Sequence, residues 1–327
     1  MIRIAVLGLD EIGCEYARAS KRDPTSRLVG VYDPDRARAE RLGEELGVPA
    51  SDHCEELLET ANPEVCIVSP LETNEALVGD LVSRGIRVLF TLPMSPATEE
   101  MEELLARNTT TRVMLAADFH LRFTPAMEKA REWVSGGEIG SPLFVNMNLW
   151  RDLPEGFGGN PALLFFELGS HGVDIIRQFV GDIERVQCFG VRDTRGCFTS
   201  AQINMMCSNG AVGHLTISYE MVTHHPIARC EIAGSRARVV IENVYEETTL
   251  YVHERPEKLV LTNSIFGGIP QLSETCYRRL NEFLTSVQKG DLARDATVVD
   301  ACAAARVMKA AYHSAERGSV EEVEPGC

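Results

Sequence analysis

Residues 2–19 read IRIAVLGLDEIGCEYARA, and the interpretation of the whole chain starts from this stretch. Residues 2–7 form a short apolar run rich in β-branched side chains, which predicts a buried strand that Gly8 ends. The apolar spacing from Ile12 onwards predicts a helix. A strand, a glycine turn and a helix in this order are the context in which a dinucleotide-binding fingerprint has a physical meaning.

The fingerprint Gly-x-Gly-x-x-Gly is present with one departure. Its first and third glycines are Gly8 and Gly13, and Asp10 replaces the middle one. The middle glycine lets the backbone approach a pyrophosphate, whereas two like charges about 4 Å apart near a protein surface repel by roughly 4 kcal/mol, a thousandfold in affinity. Either Asp10 rotates away, or this is an ordinary α/β domain that has lost its nucleotide site. The residues expected to contact a cofactor here are Gly8, Leu9, Asp10, Glu11, Ile12 and Gly13.

The composition is that of an acidic globular protein, long enough for two domains. Of its 327 residues, 32 are Lys or Arg and 48 are Asp or Glu, so the net charge is −16. An acidic chain repels phosphate backbones and anionic lipids, which argues against nucleic-acid and membrane partners. The N-terminus lacks the features of a signal peptide, and the ten cysteines are scattered without a Cys-x-x-Cys motif. We therefore expect a cytoplasmic protein with reduced cysteines and without a metal site.

Strands alternate with helical segments over residues 1–118. The segment Arg27–Asp33 predicts a second strand that ends in an acid, and an acid about 20 residues after the glycines accepts hydrogen bonds from the adenosine ribose. Asp33 in that role favours NAD over NADP, although a turn residue before the next helix is the alternative reading. Further buried strands are predicted at 64–69, 86–90 and 113–117, and this alternation predicts a doubly wound parallel sheet.

The pattern changes after residue 118. Residues 143–150 alternate as a strand, and residues 183–262 give a run of strands without helices between them, which predicts an open, mostly antiparallel sheet. Two helices within 272–317 are expected to return over the structure. The fold class is therefore α/β, with a dinucleotide-binding domain at 1–118 and a substrate and oligomerisation domain at 119–327.

The order of these motifs resembles the glucose–fructose oxidoreductase, inositol dehydrogenase and rhizopine-catabolism family (Gfo/Idh/MocA). The resemblance rests on residues 32–48 (YDPDRARAERLGEELGV), 88–95 (VLFTLPMS), 119–145 (FHLRFTPAMEKAREWVSGGEIGSPLFV) and 168–174 (LGSHGVD). It implies a Rossmann domain followed by an α/β domain with an open sheet. It also implies oxidation or reduction of a hydroxyl or carbonyl on a sugar, a cyclic polyol or a similar small molecule with NAD or NADP. Homo-oligomers through the open sheet are expected on the same ground.

The family's functional motifs are incomplete in this chain. The family lysine, in a Glu-Lys-Pro motif, matches Leu92, and a further family histidine matches Asn74. The family aspartate and the catalytic histidine match Glu167 and His171. By the same matching, the cofactor site is completed by Ser69, Pro70, Asn74, Leu92 and Pro93.

The surviving acid/base chemistry centres on His171. Glu167, His171 and Asp174 are spaced i, i+4, i+7, which places them on one face of a continuous helix. An imidazole titrates near neutral pH, so His171 is the candidate base, with Glu167 or Asp174 orienting it. The structural alternative is that Ser170 and His171 support the helix and Asp174 pairs with Arg177.

Candidates for substrate binding follow from position. Arg122 matches an arginine typical of the family near the domain junction, where it would hold either a substrate or a structural carboxylate equally well. His120 is expected to line the cleft, and Trp150 and Arg151 lead into a glycine-rich loop that is a plausible pocket wall. Adjacent histidines usually face different ways, so no metal site is expected at His224–His225.

Two functions remain open from the sequence. The first is an NAD-dependent oxidoreductase with an atypical site. The second is a redox-inactive member of the family, either a binding protein or a non-redox lyase or isomerase using His171 and Glu167. The second reading is motivated by Asp10 and Leu92, since each removes a different half of the redox machinery.

Overall fold

The computed structural model divides into two units, Met1–His120 with Gln271–Cys302, and Leu121–Pro270 with Ala303–Cys327. The domain boundary predicted after residue 118 stays a prediction. The structure describes residues 1–69, 74–92, 98–153, 159–220, 227–243, 246–262, 272–292 and 296–325.

A parallel sheet forms the centre of the first unit. Its strands are β1 Ile2–Leu7, β2 Ser26–Tyr32, β3 Ala50–Ser51, β4 Val65–Val68, β5 Arg87–Phe90 and β6 Leu115–Ala117. Among the described residues these form one six-stranded sheet in the order β3-β2-β1-β4-β5-β6, with every pair of neighbours parallel. β4 is buried at every position, as expected for a strand covered on both faces. The predicted doubly wound sheet is confirmed.

The connecting helices begin where the sequence supplies caps. They are α1 Glu11–Arg22, α2 Arg36–Leu46, α3 Cys54–Ala61, α4 Asn74–Ser83 and α5 Thr98–Thr111. The side chains of Asp10 and Asp35 cap α1 and α2 by accepting the backbone N–H groups of Gly13 and Arg38. α2 ends at Gly47, whose φ of +61° is the left-handed conformation that glycine adopts without strain.

A helix from much later in the chain completes the core of the first unit. α8 Leu272–Lys289 packs against α1, and its Cys276, Leu280 and Phe283 are fully buried in the same cluster as Ile4 and Tyr16. The first unit therefore consists of two segments that lie far apart in sequence.

The second unit is built on a large mixed sheet. Its strands are β7 Pro142–Trp150, β8 Ile183–Arg192, β9 Phe198–Cys207, β10 Val212–Ser218, β11 Ile227–Gly234, β12 Ala237–Glu242, β13 Glu247–Val252, β14 Lys258–Thr262 and β15 Glu321–Glu322. In the part of the chain that the structure describes, they form nine strands in the order β14-β13-β12-β11-β7-β10-β9-β8-β15. β7 and β10 are parallel and the other pairs are antiparallel. The expected mostly antiparallel sheet is confirmed.

The helices of the second unit include α6 Pro125–Ser135 and α7 Ser170–Val180, while α9 Val298–Arg317 spans the division between the units. A π-helical turn at Phe165–Gly169 leads directly into α7. α7 lies closely on β10, because a Cβ at Gly172 would come within 2.5 Å of the Leu215 side chain. The glycine after His171 thus fixes how near that histidine lies to the sheet.

Candidate functional site

The carboxyl ends of the parallel strands bring polar residues of the first unit to one edge. Ser69, Thr91 and Asp118 each follow a strand directly, and each donates its backbone N–H to the last carbonyl of the neighbouring strand. The strand order reverses between β1 and β4, and open α/β sheets bind ligands at this edge, outside the reversal point. The glycine fingerprint follows β1 at the same edge.

The two retained glycines have a packing reason. Gly8 adopts a φ of +91°, which a residue with a side chain rarely does. A Cβ at Gly13 would come within 2.1 Å of the Gly8 carbonyl oxygen, so α1 approaches β1 only because position 13 is glycine. These two positions fit the fingerprint as the tight turn and the close helix–strand contact.

Asp10 is the N-cap of α1 and does not point away from it. Its Oδ1 accepts the Gly13 N–H at 2.8 Å and the Ser69 hydroxyl. The carboxylate therefore lies at the positive end of the helix dipole, the kind of place where a bound phosphate is stabilised. Burial raises the pKa of Asp10 above its usual value, and the bonds from Ser69 and Gly13 offset only part of this effect.

Asp33 is 1% exposed and holds the glycine loop in place. Its Oδ2 accepts the Leu9 N–H at 2.8 Å, and its Oδ1 accepts the Asp35 N–H at 2.9 Å. Arg38 Nη1 lies 3.3 Å from Oδ2. Each carboxylate oxygen accepts more than one hydrogen bond, so these contacts are compatible with a ribose hydroxyl on the same group.

The two described residues that follow β5 are the polar Thr91 and the apolar Leu92. Leu92 is partly buried and its hydrocarbon side chain neither donates nor accepts a proton. Thr91 beside it is 2% exposed and lies 3.4 Å from the Ser69 hydroxyl. Of the other residues expected here, Asn74 begins α4, while Pro70 and Pro93 lie outside the described residues.

The first unit therefore fits NAD at most of its expected contacts. The glycine pair, the N-terminus of α1 and the Asp33 carboxylate stand where the fingerprint requires them. Within the glycine fingerprint, which the structure describes in full, Asp10 is the conflicting residue, because in its ionised form it competes with a phosphate for the same helix terminus.

In the second unit, Glu167 lies within the π turn and is held on both oxygens. Arg151 Nη1 donates to Oε1 at 3.0 Å, and the Tyr219 hydroxyl donates to Oε2. Burial and the Glu167 charge raise the pKa of Tyr219 well above its usual value, so this hydroxyl keeps its proton. π turns are frequent at functional sites. The prediction that Glu167 and His171 share one helix face assumed a continuous α-helix, whereas Glu167 lies in a π turn and His171 in the α-helix that follows.

Asp174 is 1% exposed and forms a bidentate ion pair with Arg122. Arg122 Nε donates to Oδ2 at 2.7 Å, Nη2 donates to Oδ1, and Gln178 Nε2 donates to Oδ2 at 3.2 Å. Arg177 donates to Asp182 at 2.7 Å. Of the two roles left open for Arg122, holding a structural carboxylate is the one that these contacts support.

His171 lies in the first turn of α7 and is 9% exposed. Trp150 ends β7 and Arg151 follows it, and whether they lead into a pocket wall stays a prediction. Side chains alternate along a strand, and Trp150 alternates with the buried Leu149 while Arg151 contacts Glu167. The two side chains therefore leave opposite faces of the sheet. The Trp150 indole N–H is buried and has no hydrogen-bond partner among the described residues.

His120 belongs to a cluster at the end of β6. Its Nδ1 lies 3.4 Å from Asp118 Oδ2. The Tyr16 hydroxyl donates to Asp118 Oδ1 at 2.6 Å, and the fully buried Arg279 lies 3.9 Å from the same oxygen. Sequence reasoning missed both Asp118 and Tyr219. Asp118 follows a strand directly, as Asp33 does, so the same signal applied to β6 would have found it.

Within the described residues, no group of His, Cys, Asp and Glu has the geometry of a metal site. His224 and His225 lie outside those residues. The described helices include none that is both long and apolar enough to cross a membrane. The described cysteines are free thiols, and burial raises the pKa of Cys54 and Cys207 to about 11.

Known proteins agree with this architecture along most of the chain. The scyllo-inositol 2-dehydrogenase (NAD(+)) of Bacillus subtilis strain 168 is 27% identical over 306 residues, covering 88% of this chain and 87% of that protein. The myo-inositol 2-dehydrogenase of Thermotoga maritima is 24% identical over 305 residues, covering 89% of each. A levoglucosan dehydrogenase solved with NADH and levoglucosan has a TM-score of 0.87 at 14% identity, covering 99% of this chain and 100% of that one, which supports the fold.

Two sequence models match directly. Residues 2–119 match the one described as "Oxidoreductase family, NAD-binding Rossmann fold", and residues 127–240 match the one described as "GFO/IDH/MocA C-terminal domain". The expected NAD-binding fold is thereby confirmed. From these matches and the two sheets described above, the chain belongs to the Gfo/Idh/MocA oxidoreductase family.

Proposed function

We propose that this protein transfers a hydride between NAD(H) and a hydroxyl-bearing carbon of a cyclic polyol, a sugar or a similar small molecule. The observation that carries the proposal is the Asp33 carboxylate, which is fixed at the end of β2 by the Leu9 N–H of the glycine loop. A carboxylate there binds ribose hydroxyls and disfavours a 2′-phosphate, which argues for NAD. The inositol dehydrogenases among the relatives support a polyol or sugar as substrate.

Bound NAD would supply the hydride acceptor, and the chain supplies the rest. The N-terminus of α1 would face the pyrophosphate, and Asp33 would hold the ribose. His171 is the acid/base that takes the hydroxyl proton during oxidation and returns it during reduction. Its position matches the family histidine, and an imidazole can both accept and donate a proton.

Glu167 and Asp174 act as positioning residues in this proposal. Glu167 joins Arg151 to Tyr219, and it is the partly exposed Arg151 that offers hydrogen-bond donors to a substrate oxygen. Asp174 holds Arg122 and thereby fixes α7, on which His171 lies. Leu92 leaves the oxygen without the ammonium group that the family lysine provides, so we expect slow turnover.

Assembly through the second sheet is proposed on the family resemblance and on one observation. Four apolar side chains on β8, β9 and β10 are more than a third exposed, and they are Phe189, Val191, Met206 and Val212. Covering them with a second copy removes apolar area from water. The cytoplasmic location is likewise proposed, on the free cysteines.

Calorimetric titration with NAD⁺, NADH and NADPH tests the cofactor, and turnover on inositols and aldoses tests the substrate class. We expect binding of NAD(H) in preference to NADPH, and turnover that His171→Gln lowers by about 10²–10⁴-fold. His214→Gln in β10 is the matched control and should leave turnover unchanged, since His214 bonds to Asn204 and Thr216 on the sheet.

The second candidate function is a redox-inactive family member, and Asp10 together with Leu92 favours it. An absence of NAD(H) binding at millimolar concentration would support that candidate over the dehydrogenase. Binding without turnover on any polyol or sugar would point to redox-neutral chemistry at His171 or to a binding role.

A further inference from the structure

The two oxygens of Asp10 have different surroundings. Both described hydrogen bonds end on Oδ1, which accepts the Gly13 N–H and the Ser69 hydroxyl. No hydrogen bond reaches Oδ2 from any residue that the structure describes. The carboxyl group is therefore fixed in orientation by one oxygen, and the other is the site at which a proton can be added without breaking a contact.

Charges on two neighbouring residues act on Asp10 in opposite directions. Arg38 on α2 is the cation that acts on it, and this guanidinium also lies against Asp33. The negative charge of Asp118, which follows β6, acts against Arg38 and disfavours the ionised form of Asp10. Cys14 on α1 and Cys276 on α8 also interact with Asp10, and Glu11 and Glu15 on α1 act on Cys276. Burial is the largest effect and raises the pKa of Asp10.

A phosphate bound at the N-terminus of α1 would also raise the pKa of Asp10, because its negative charge disfavours the ionised carboxylate. An ionised Asp10 beside it weakens binding by about a thousandfold. A protonated Asp10 carries no charge, and its O–H group becomes a donor to a phosphate oxygen while Oδ1 keeps its two bonds. Protonation thus converts the one conflicting residue of the fingerprint into a phosphate ligand.

We propose that NAD(H) binds with the uptake of one proton by Asp10, whose Oδ2–H group then donates a hydrogen bond to the pyrophosphate. The proton comes from solvent or buffer, the Oδ2–H bond forms, and no electrons move. The site thereby takes up its cofactor more readily at low pH than at high pH. This inference rests on the cofactor part of the proposed function and not on the identity of the substrate.

Calorimetry with NAD⁺ in two buffers of different ionisation enthalpy measures the proton uptake directly. At neutral pH we expect up to one proton per NAD⁺, and a Kd that falls by up to tenfold for each pH unit by which the pH is lowered. Asp10→Asn keeps the cap, because asparagine caps helices as well as aspartate. It should bind NAD⁺ more tightly than the wild type at pH 8, without proton uptake and without pH dependence.

Asp35→Asn is the matched control, since it changes the N-cap of α2 in the same way. It should keep the proton uptake of the wild type. Binding by the wild type that is independent of pH and of buffer would overturn the inference, and so would proton uptake that persists in Asp10→Asn. If neither protein binds NAD⁺ at any pH, the cofactor part of the proposed function fails as well, and the two failures are thus distinguishable.

Discussion

The Arg122–Asp174 pair yields the sharpest prediction, because it decides whether Asp174 is structural. Asp174 is 1% exposed and Arg122 is 7% exposed, and two of the Arg122 nitrogens donate to the two carboxylate oxygens. Asp174→Asn removes the negative charge that two nitrogens of this buried guanidinium contact. Breaking a buried ion pair in this way costs about 3–5 kcal/mol.

The same helix offers a matched control. Asp182 follows α7 and binds Arg177 at 2.7 Å, but its side chain is 77% exposed. Because the Asp182 carboxylate lies largely in water, we expect its pair with Arg177 to contribute about 0–1 kcal/mol, so Asp182→Asn should change stability little. With a shift of about 2–4 °C per kcal/mol, Asp174→Asn should lower the Tm of the second unit by about 6–20 °C and Asp182→Asn by less than about 4 °C.

Differential scanning calorimetry and urea unfolding of both variants check this difference. A second variant, Arg122→Met with Asp174→Leu, should recover much of the loss, because replacing both partners with apolar groups leaves no isolated charge. The reasoning is refuted if Asp174→Asn costs no more than Asp182→Asn. A stable Asp174→Asn protein with its turnover abolished would instead make Asp174 part of the acid/base chemistry.

Three further outcomes follow from other contacts. Tyr219→Phe removes a hydrogen bond to the Glu167 carboxylate and should cost about 1.5–3 kcal/mol in urea unfolding; a loss below 0.5 kcal/mol would mean that the bond is replaced by water. Leu92→Lys restores the family's proton donor and should raise kcat on a polyol by about tenfold or more, which steady-state assays would show; no gain would mean that the pocket has been rebuilt. Burial raises the pKa of Asp118, but the charges of His120 and Arg279 outweigh it, so this pKa lies below its usual value. The ionised Asp118 carboxylate therefore stabilises the fold at pH values above the pKa of the unfolded state. That stability is lost as the pH falls through the pKa of the folded state. Asp118→Asn should therefore flatten the acid limb of the Tm–pH curve, and an unchanged limb would contradict this assignment.

The fold was predictable because it depends on periodicity. Residues 65–68 (VCIV) and 88–90 (VLF) are apolar throughout, and strands covered on both faces show this pattern without any knowledge of their neighbours. The parallel pairing of β7 with β10 was not predictable in the same way. It joins strands that are separated along the chain by two others, and local patterns carry no information about such pairing.

The site was predictable only in part, because its contacts are long-range. The spacing of Asp174 and Arg177 suggests a local pair, but no local pattern predicts the bond between Asp174 and Arg122, which lie 52 residues apart. Asp10 combines a local contact with a long-range one. Its cap bond to Gly13 spans three residues and is a local signal, but the bond from Ser69 depends on β4 lying beside β1.

The two-segment make-up of the first unit has a consequence for biosynthesis. When a ribosome has finished residue 120, the six strands have been made, but the buried Cys276, Leu280 and Phe283 have not. At about 5–20 residues per second, α8 follows about 10–30 s later. During that interval the apolar surface of α1 is uncovered, so the nascent chain offers chaperones a binding site that vanishes once the late helix docks.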